Sequence, residues 1–382
     1  MRKLAILHFN PVELYPPAMN LLRSMGGVGD WVVRAFSIWP AVGASREDGA
    51  ARRTFAVDSD NVKVLRFGVA GRKGANAYLS YLKHYVCTLV QLIRWRPEVI
   101  FYYETLSAPP VYFYKRYLNR GVRVFIHYHE YTSPGEYAEA GPLVRWAHRK
   151  EKWLYPLAEW ISHTNEDRIG MFREDMKGIA LPPLHSFPNY PPASWSGIYP
   201  GNRPGRPLKL VYAGALSMDT MYTRELAEWV VGQRGDVTWD IYSGNITSGA
   251  RAFLQEQDGR LIRLHDAVDY YGLPAVMAGY DVGVILYKGH IPNYIYNAPN
   301  KLFEYLACGL DIWFPAVMKG CLGFVTSGTY PRISAVDFDE MNGLSWEELT
   351  SRSGLQYMPG KFVCEVEFDI LIQSLRTSHE QP

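Results

Sequence analysis

Cysteine is scarce in this chain of 382 residues, and the spacing of the few cysteines excludes two common kinds of site. Cys87, Cys308, Cys321 and Cys364 are separated by 221, 13 and 43 residues. Structural zinc sites and redox dithiols both use closely spaced cysteine pairs, which this pattern lacks. We therefore expect all four cysteines to be reduced and to act as small buried residues.

Long apolar runs and a dinucleotide fingerprint are also absent. No apolar run reaches the roughly 18 residues that a membrane span needs. Residues 1–10 have too short an apolar stretch for a signal peptide and no small-residue cleavage site, so they predict the first strand of a cytoplasmic protein. No Gly-x-Gly-x-x-Gly turn follows that strand, where Asn10-Pro11-Val12-Glu13 stands instead. This argues against a dehydrogenase.

Composition and length indicate two folded domains. Hydrophobic residues make up 48% of the chain and charged residues 20%, which suits packed cores. Residues 182–207 contain eight prolines, through which no helix can run. We expect an N-terminal domain at 1–190, a linker at 191–207, a C-terminal domain at 208–362 and a final helix at 363–382 that packs back on the junction.

The formal charge of +2 is unevenly distributed. Residues 1–190 contain 25 Lys and Arg against 17 Asp and Glu, a net +8, and residues 191–382 contain 15 against 21, a net −6. A basic half indicates nucleic acid or an anionic membrane as a partner. Aromatic residues stand among the basic residues of this half, as they do in proteins that bind at bilayer interfaces. We therefore expect this half to bind a membrane surface and not nucleic acid. The aromatic residues are Tyr78, Tyr81, Tyr85, Trp95, Tyr112, Phe113, Tyr114, Tyr117, Trp146, Trp153 and Trp160.

Segment 77–95 fits such a surface. It has apolar residues at helical spacing and bases beside them. Two interpretations stay open: an ordinary domain helix that buries one face, or a peripheral contact with an anionic leaflet. In the second, each basic residue contributes about 1 kcal/mol.

Strand-like and helix-like segments alternate on both sides of the proline-rich stretch. Predicted strands are 4–9, 31–38, 62–67, 99–103, 122–128, 208–213, 237–242, 261–264, 282–286 and 311–314. Predicted helices are 77–95, 108–119, 143–155, 223–232, 249–257, 270–278, 299–308 and 363–376. This alternation predicts two doubly wound α/β domains with parallel sheets. Two such domains that face each other across a cleft indicate a nucleotide-linked ligand at the carboxyl ends of the strands.

The segment 297–310 is the most informative part of the sequence. Pro299 near the first helical position and Gly309 past the end delimit a short helix with an electropositive amino end, where a diphosphate is well placed. Asn300 and Glu304 are four residues apart and share one face, so Glu304 can accept hydrogen bonds from ribose hydroxyls. The alternative is an ordinary solvated glutamate, with Lys301 as a surface lysine.

The sequence of this predicted helix resembles a signature of a known protein family. Pro-Asn-Lys-Leu-Phe-Glu-Tyr-Leu-Ala-Cys-Gly-Leu at 299–310 closely resembles the donor-binding signature of the GT-B glycosyltransferases of family 4, the retaining group 1 enzymes. Four weaker segments resemble the same family in the right order. They are His127-Tyr128-His129-Glu130-Tyr131, Phe187-Pro188-Asn189-Tyr190-Pro191, Leu210-Val211-Tyr212-Ala213-Gly214-Ala215-Leu216 and Asp281-Val282-Gly283-Val284.

This resemblance implies a GT-B fold with two Rossmann-like domains and a retaining hexosyl or glycosyltransferase activity. A sugar would move from a nucleotide-diphosphate donor, bound by the second domain, to a glycan or lipid-linked acceptor, in envelope polysaccharide synthesis. No metal or other cofactor is implied, and the enzyme would act in the cytoplasm or peripherally on the inner face of the membrane. The matching positions are His129 and Glu130 as catalytic residues, and Gly214, Ala215, Arg224, Asn300, Lys301, Leu302 and Glu304 as donor-binding residues.

The sequence departs from the family at two places. Members often carry an arginine and a lysine shortly after the glycine turn, whereas Arg224 is the only base in 217–224. Many also have a glutamate eight positions before the ribose-binding one, where Tyr296 stands here. Either Lys301 and the helix amides carry more of the phosphate charge, or donor affinity is weak.

His127 and His129 lie two residues apart on a predicted strand and therefore on one face. No third ligand cluster accompanies them, so we expect no metal. A buried structural histidine stays an alternative for His129 and is the favoured interpretation of His127.

Two other functions stay open. One is a nucleotide-sugar epimerase of the same fold, which needs acidic and basic groups on both sides of the cleft. The other is a non-catalytic subunit that keeps the GT-B shape and binds a partner or a glycan. The few bases after Gly214 favour the second of these.

Overall fold

The computed structural model describes residues 1–40, 55–71, 74–196, 205–341, 355–358 and 360–377. These residues form two compact units. The first contains the described residues up to Asn189 and those from Cys364 onward, and the second extends over Tyr190–Val363. Of the predicted linker, residues 197–204 lie outside the described residues.

Seven parallel strands form the sheet of the first unit, in the order β3-β2-β1-β4-β5-β6-β7. They are β1 (Arg2–His8), β2 (Trp31–Trp39), β3 (Val62–Val69), β4 (Val99–Tyr103), β5 (Arg123–Tyr128), β6 (Trp160–His163) and β7 (Leu184–Ser186). The inner strands are almost continuously apolar because helices cover both faces of a parallel sheet, and every residue of β4 is buried. The register places His8 beside Tyr103, Tyr103 beside His127, and Tyr128 beside His163, all at the carboxyl edge.

Helices connect these strands. They are α1 (Pro16–Gly26), α2 (Ala75–Trp95), α3 (Ala108–Phe113), α4 (Pro134–Glu139), α5 (Pro142–Leu154) and α6 (Glu166–Asp175). A π-helical turn over Tyr114–Leu118 follows α3. The side chains of Ser133 and Glu136 form a capping box that begins α4, and Asn165 caps α6.

Six parallel strands form the main sheet of the second unit, in the order β10-β9-β8-β11-β12-β14. They are β8 (Leu208–Ala213), β9 (Val237–Tyr242), β10 (Ile262–His265), β11 (Val282–Val284), β12 (Asp311–Pro315) and β14 (Ile333–Val336), while β13 (Thr329–Tyr330) and β15 (Gln356–Tyr357) pair separately. The predicted α/β class with two parallel sheets is confirmed.

The helices of the second unit lie between these strands. They are α7 (Thr223–Gly232), α8 (Ser248–Gln255), α9 (Leu273–Met277), α10 (Pro292–Ile295), α11 (Asn300–Ala307) and α12 (Lys319–Leu322). Trp195, which precedes β8, is buried in this unit, with its ring 4.8 Å from that of Tyr270. Residues of the predicted linker are therefore part of the core of the second unit.

The last helix, α13 (Cys364–Arg376), belongs to the first unit. The guanidinium of Arg123 donates hydrogen bonds to the carbonyl oxygens of Ser374, Leu375 and Thr377 at 2.6–3.0 Å. Arg376 forms an ion pair with Asp30 at 2.8 Å. Throughout the described residues, none of the helices combines the length and the hydropathy needed to cross a membrane.

Candidate functional site

The second unit brings Gly214 and Lys301 into contact at the carboxyl end of β8. Gly214 has a φ of +138°, which an L side chain rarely adopts. A Cβ at this position would lie 2.7 Å from Nζ of Lys301 and 2.8 Å from its Cε. The backbone conformation therefore favours glycine at this position, and any side chain there would displace the end of the Lys301 side chain.

Aromatic residues fix α11 in this position. The hydroxyl oxygen of Tyr305 accepts a hydrogen bond from the amide of Ala213 at 3.1 Å, which ties the helix to the end of β8. Gly283 of β11 leaves room for the Tyr305 ring, since a Cβ there would lie 2.2 Å from a ring carbon. The glycine in β11 therefore allows α11 to pack closely against that strand.

Lys301 and Glu304 are one turn apart on α11, and both are partly buried. Burial raises the pKa of Glu304 to about 7, although the nearby Lys301 opposes this shift. Burial alone would lower the pKa of Lys301, but Tyr287, Tyr212 and Glu304 outweigh it and raise that pKa. The Lys301 ammonium also lies 5.4 Å from the centre of the Tyr212 ring. The site therefore holds a fixed cation beside a carboxyl group that titrates near neutral pH.

The other predicted donor-binding residues have distinct environments. Asn300 is the first residue of α11. Leu302 is fully buried in the core and anchors that helix. Ala215 is exposed, and its carbonyl accepts a hydrogen bond from the Tyr212 hydroxyl at 2.6 Å. Arg224 is directed to Glu228, at 3.8 Å, and to the ring of Phe253, at 4.6 Å, on the exposed side of α7.

In the first unit, His129 lies in a cluster of aromatic rings at the carboxyl edge of the sheet. Its ring stacks on Tyr103 at 4.9 Å and on Tyr15 at 5.4 Å, and it meets His127 edge-on at 4.9 Å. Both ring nitrogens of His129 are buried and lack a hydrogen bond of normal geometry, although the Asn189 side chain lies close enough to interact with the ring. Burial, with His127 and His8 nearby, lowers the pKa of His129 well below its usual value, so the ring is neutral.

Of the other buried histidines in the same unit, four also have lowered pKa values. Burial lowers the pKa of His8 and of His84 to about 4, that of His163 to about 3, and that of His127 well below the usual value. His127 is fully buried, and its Nδ1 lies 2.9 Å from the hydroxyl of Ser162. In all, five imidazoles are held neutral in one unit.

Glu104, directly after β4, is a candidate that sequence reasoning missed. Its φ of +62° and ψ of 153° fall in a region that is almost restricted to glycine and costs about 1–3 kcal/mol. Its Oε1 accepts the amide hydrogen of His129 at 2.7 Å. Burial and the carboxylates of Glu130 and Glu151 raise the pKa of Glu104 to about 8, against the hydrogen bonds from the His129 and Glu130 amides. Its only sequence signal was an acidic residue at the end of a wholly apolar strand.

Glu130 is exposed, beside these buried groups. Glu104, His129 and Glu130 thus lie just after the ends of β4 and β5 in the first unit. Among the described residues, no group of three or more His, Cys, Asp or Glu side chains has the arrangement of a metal site.

Chains of known structure share this architecture over nearly their full length. Sucrose-phosphate synthase from Thermosynechococcus elongatus superposes with a TM-score of 0.71 at 14% identity, over 98% of each chain. HepE from Anabaena, in complex with UDP and glucose, has a TM-score of 0.61 at 13% identity, over 98% of this chain and 99% of its own.

An epimerase has the same architecture. UDP-GlcNAc 2-epimerase from Neisseria meningitidis, bound to UDP-GlcNAc, superposes with a TM-score of 0.59 at 9% identity, over 98% of this chain and 99% of its own. No protein-family model and no curated protein matches the chain. Topology and superposition together show that this chain has the GT-B fold that the signature at 299–310 predicts.

Proposed function

We propose that this chain is a retaining glycosyltransferase, which moves a sugar from a nucleotide-diphosphate donor to a glycan or lipid-linked glycan. The observation that carries the proposal is the contact of Lys301 with Gly214, one helical turn from Glu304. The complex of the structurally similar HepE with UDP and glucose supports the same class of donor.

The charges around the start of α11 support the binding of the donor by the second unit. The Lys301 ammonium and the free amides at the start of α11 offer positive potential to a diphosphate. The Glu304 carboxyl lies one turn further along, at the distance of a ribose whose diphosphate is held at the helix start. Arg224 is already directed to Glu228 and Phe253, so Lys301 carries most of the side-chain charge in this scheme.

Lys301 would also act in the chemical step. Cleavage of the sugar–phosphate bond leaves an extra negative charge on the diphosphate, and a cation that is already in place stabilises that charge without rearrangement. Such a site needs no divalent metal and no further cofactor. Retention requires that the acceptor oxygen arrive on the face from which the diphosphate leaves.

The first unit would hold the acceptor and the transferred sugar. A neutral His129 ring can exchange a hydrogen bond with a sugar hydroxyl, but in the described conformation Tyr15 stacks on it and both nitrogens are buried. A sugar would reach the ring only after a covering side chain moves. Glu130 is exposed at the same edge of the sheet, so an acceptor hydroxyl can reach it without a rearrangement of the chain.

The function is tested by incubating the full chain with UDP-, GDP-, ADP- and TDP-linked sugars and following release of nucleoside diphosphate and the fate of the sugar. A transferase releases the nucleotide and, with an acceptor present, attaches the sugar to it. An epimerase returns an altered nucleotide sugar. A non-catalytic subunit leaves every donor unchanged, which contradicts the proposal.

Peripheral attachment to an anionic membrane is proposed for α2. An apolar surface, the α2 stripe, consists of Tyr78, Leu79, Leu82, Val86 and Ile93, whose exposed fractions lie between 41% and 63%. Lys83 and Arg94 are exposed on the same helix, which contains no acidic residue. Several aromatics of the basic half, Trp95, Tyr112, Tyr114 and Trp160, are buried and therefore unavailable to a bilayer.

We expect the double variant Leu79→Glu, Leu82→Glu to lose binding to anionic vesicles by at least about 10-fold, because burial of two leucines and the adjacent positive charge both favour the bilayer. Binding of the wild-type chain should weaken as salt shortens the Debye length from about 10 Å at 0.1 M to about 3 Å at 1 M.

Val366 and Ile370, exposed on α13, supply the matched control Val366→Glu, Ile370→Glu. This variant adds the same two charges and should bind vesicles like the wild-type chain. Co-sedimentation measures all three proteins. Equal binding by the α2 variant and the control would contradict attachment through the α2 stripe.

A further inference from the structure

The first unit contains a cavity between α4 and α5 that is lined partly by basic side chains. A cavity of about 500 Å³ opens between these helices. Its lining residues are Pro134, Tyr137, Ala138, Pro142, Arg145, His148, Arg149 and Lys152. None of them belongs to the donor site or to the α2 stripe.

The charge of this cavity is positive. Arg145, Arg149 and Lys152 are spaced i, i+4 and i+7, which places them on one face of α5, and all three are exposed. Arg145 donates a hydrogen bond to the carbonyl of Ala138 on α4 at 3.3 Å. Neither Arg149 nor Lys152 forms an ion pair with any described acidic residue. Three like charges on one face repel each other unless an anion lies among them.

The wall of the cavity is largely apolar, with a buried histidine and a tyrosine ring packed together in it. His148 is only 7% exposed, and its ring stacks on Tyr137 at a centroid distance of 3.6 Å and an angle of 7°. Its Nδ1 has no hydrogen-bond partner and lies 3.7 Å from the carboxylate of Glu151. That carboxylate is itself occupied by the hydroxyls of Tyr102, Thr105 and Tyr155. A stacked aromatic pair therefore lines the basic cavity, and one ring nitrogen of His148 faces Glu151 without a hydrogen bond.

We propose that this cavity binds the phosphate or diphosphate group of a phosphorylated acceptor. Two guanidinium groups and an ammonium are the donors that suit phosphate oxygens, and arginine matches them two at a time. The volume exceeds that of a bare ion and suits a phosphate with an attached sugar. The assignment to an acceptor rests on the proposed transferase function, whereas the binding of phosphate does not.

Two kinds of molecule carry such a phosphate group: a soluble sugar phosphate, and a lipid whose headgroup ends in phosphate. The first arm titrates glucose 6-phosphate and glucose into the full chain by calorimetry, without any nucleotide. Saturable binding of the phosphorylated sugar alone is expected. The double variant Arg149→Gln, Lys152→Gln should weaken it by at least about 10-fold, since two charged hydrogen-bond donors are lost.

The matched control is Arg173→Gln, Lys177→Gln, which removes the same charge from exposed positions at the end of α6 and should bind within about twofold of the wild-type chain. Lys301→Gln should also bind within about twofold, which separates this cavity from the donor site and keeps the result independent of the transferase proposal.

The second arm compares vesicles of phosphatidic acid with vesicles of phosphatidylglycerol at equal charge. A preference for phosphatidic acid that disappears in the Arg149→Gln, Lys152→Gln variant supports the proposal with a lipid as the source. The proposal is overturned if neither phosphorylated probe is preferred, or if the double variant binds both as the wild-type chain does.

Discussion

Replacing Lys301 by glutamine is expected to lower the rate of donor turnover by about 10²–10³-fold, the usual cost of removing one preorganised group that stabilises developing negative charge. The ammonium lies over Gly214, and Lys301 is one turn from Glu304 on α11. Glutamine keeps most of the side-chain length and removes the charge. The measurement is the release of nucleoside diphosphate under saturating donor.

Lys319→Gln is the matched control, because Lys319 is an exposed lysine of the same unit. It should turn over donor like the wild-type chain. The melting temperature of Lys301→Gln should confirm that the variant is folded. A folded variant with turnover within about threefold of wild type would refute the assigned electrostatic role.

Mild acid is expected to unfold the first unit. Five buried histidines there, His8, His84, His127, His129 and His163, have pKa values far below 6.5. In the unfolded chain each binds a proton below about pH 6.5, whereas in the folded chain burial keeps each ring neutral well below that pH. The stability that these neutral histidines give to the folded chain is therefore fully present above about pH 6.5 and is lost as the pH falls below that value.

Glu104 acts in the opposite direction. Its folded pKa of about 8 lies above the unfolded value, so between about pH 4.5 and 8 the folded chain holds a proton that the unfolded chain has lost. Its contribution to stability therefore decreases as the pH rises through that window. The five histidines outnumber Glu104, so the net effect near about pH 5.5 is that the folded chain loses stability as the pH falls.

We expect the near-ultraviolet circular dichroism of the first unit to be lost between about pH 4.5 and 6. His163→Phe should reduce the proton uptake on unfolding by about one, since the ring stacks on Tyr128 and neither of its nitrogens has a partner to lose. His290→Gln, at an exposed position, is the control and should leave the profile unchanged. A melting temperature that is the same at pH 5 and pH 7 would show that these imidazoles are not held neutral by the fold.

Much of the fold could be predicted because the local signals agree with the tertiary structure. The segments 208–213, 223–232 and 237–242 coincide with β8, α7 and β9, where β-branched runs and a clear apolar face leave little ambiguity. Helix α1 has no counterpart among the predicted helices, and it begins with Pro16 and Pro17, which are favourable in a first helical turn. The predicted helix 108–119 ends at 113 as an α-helix and continues as a π-helical turn.

The candidate site was only partly predictable for a different reason. Lys301 and Glu304 lie close in sequence on one helix, so spacing alone places them together. Glu104 and His8 meet His129 only because β1, β4 and β5 end at the same edge in a particular register. Strand order is a non-local property, and no motif in the sequence marks it. The strained backbone of Glu104 is likewise visible only in three dimensions.

The central claim is that the second unit binds a nucleoside diphosphate through Lys301 and Glu304, and calorimetric titration tests it most directly. UDP, GDP, ADP and TDP would each be titrated into the full chain in the presence of EDTA, and the one that binds would then be titrated into Glu304→Gln and Glu256→Gln. The account predicts one saturable site for at least one nucleotide, with affinity reduced by about 10–150-fold in Glu304→Gln and unchanged in Glu256→Gln, an exposed glutamate of the same unit. Absence of binding by all four nucleotides, or equal affinity in the two variants, would contradict it.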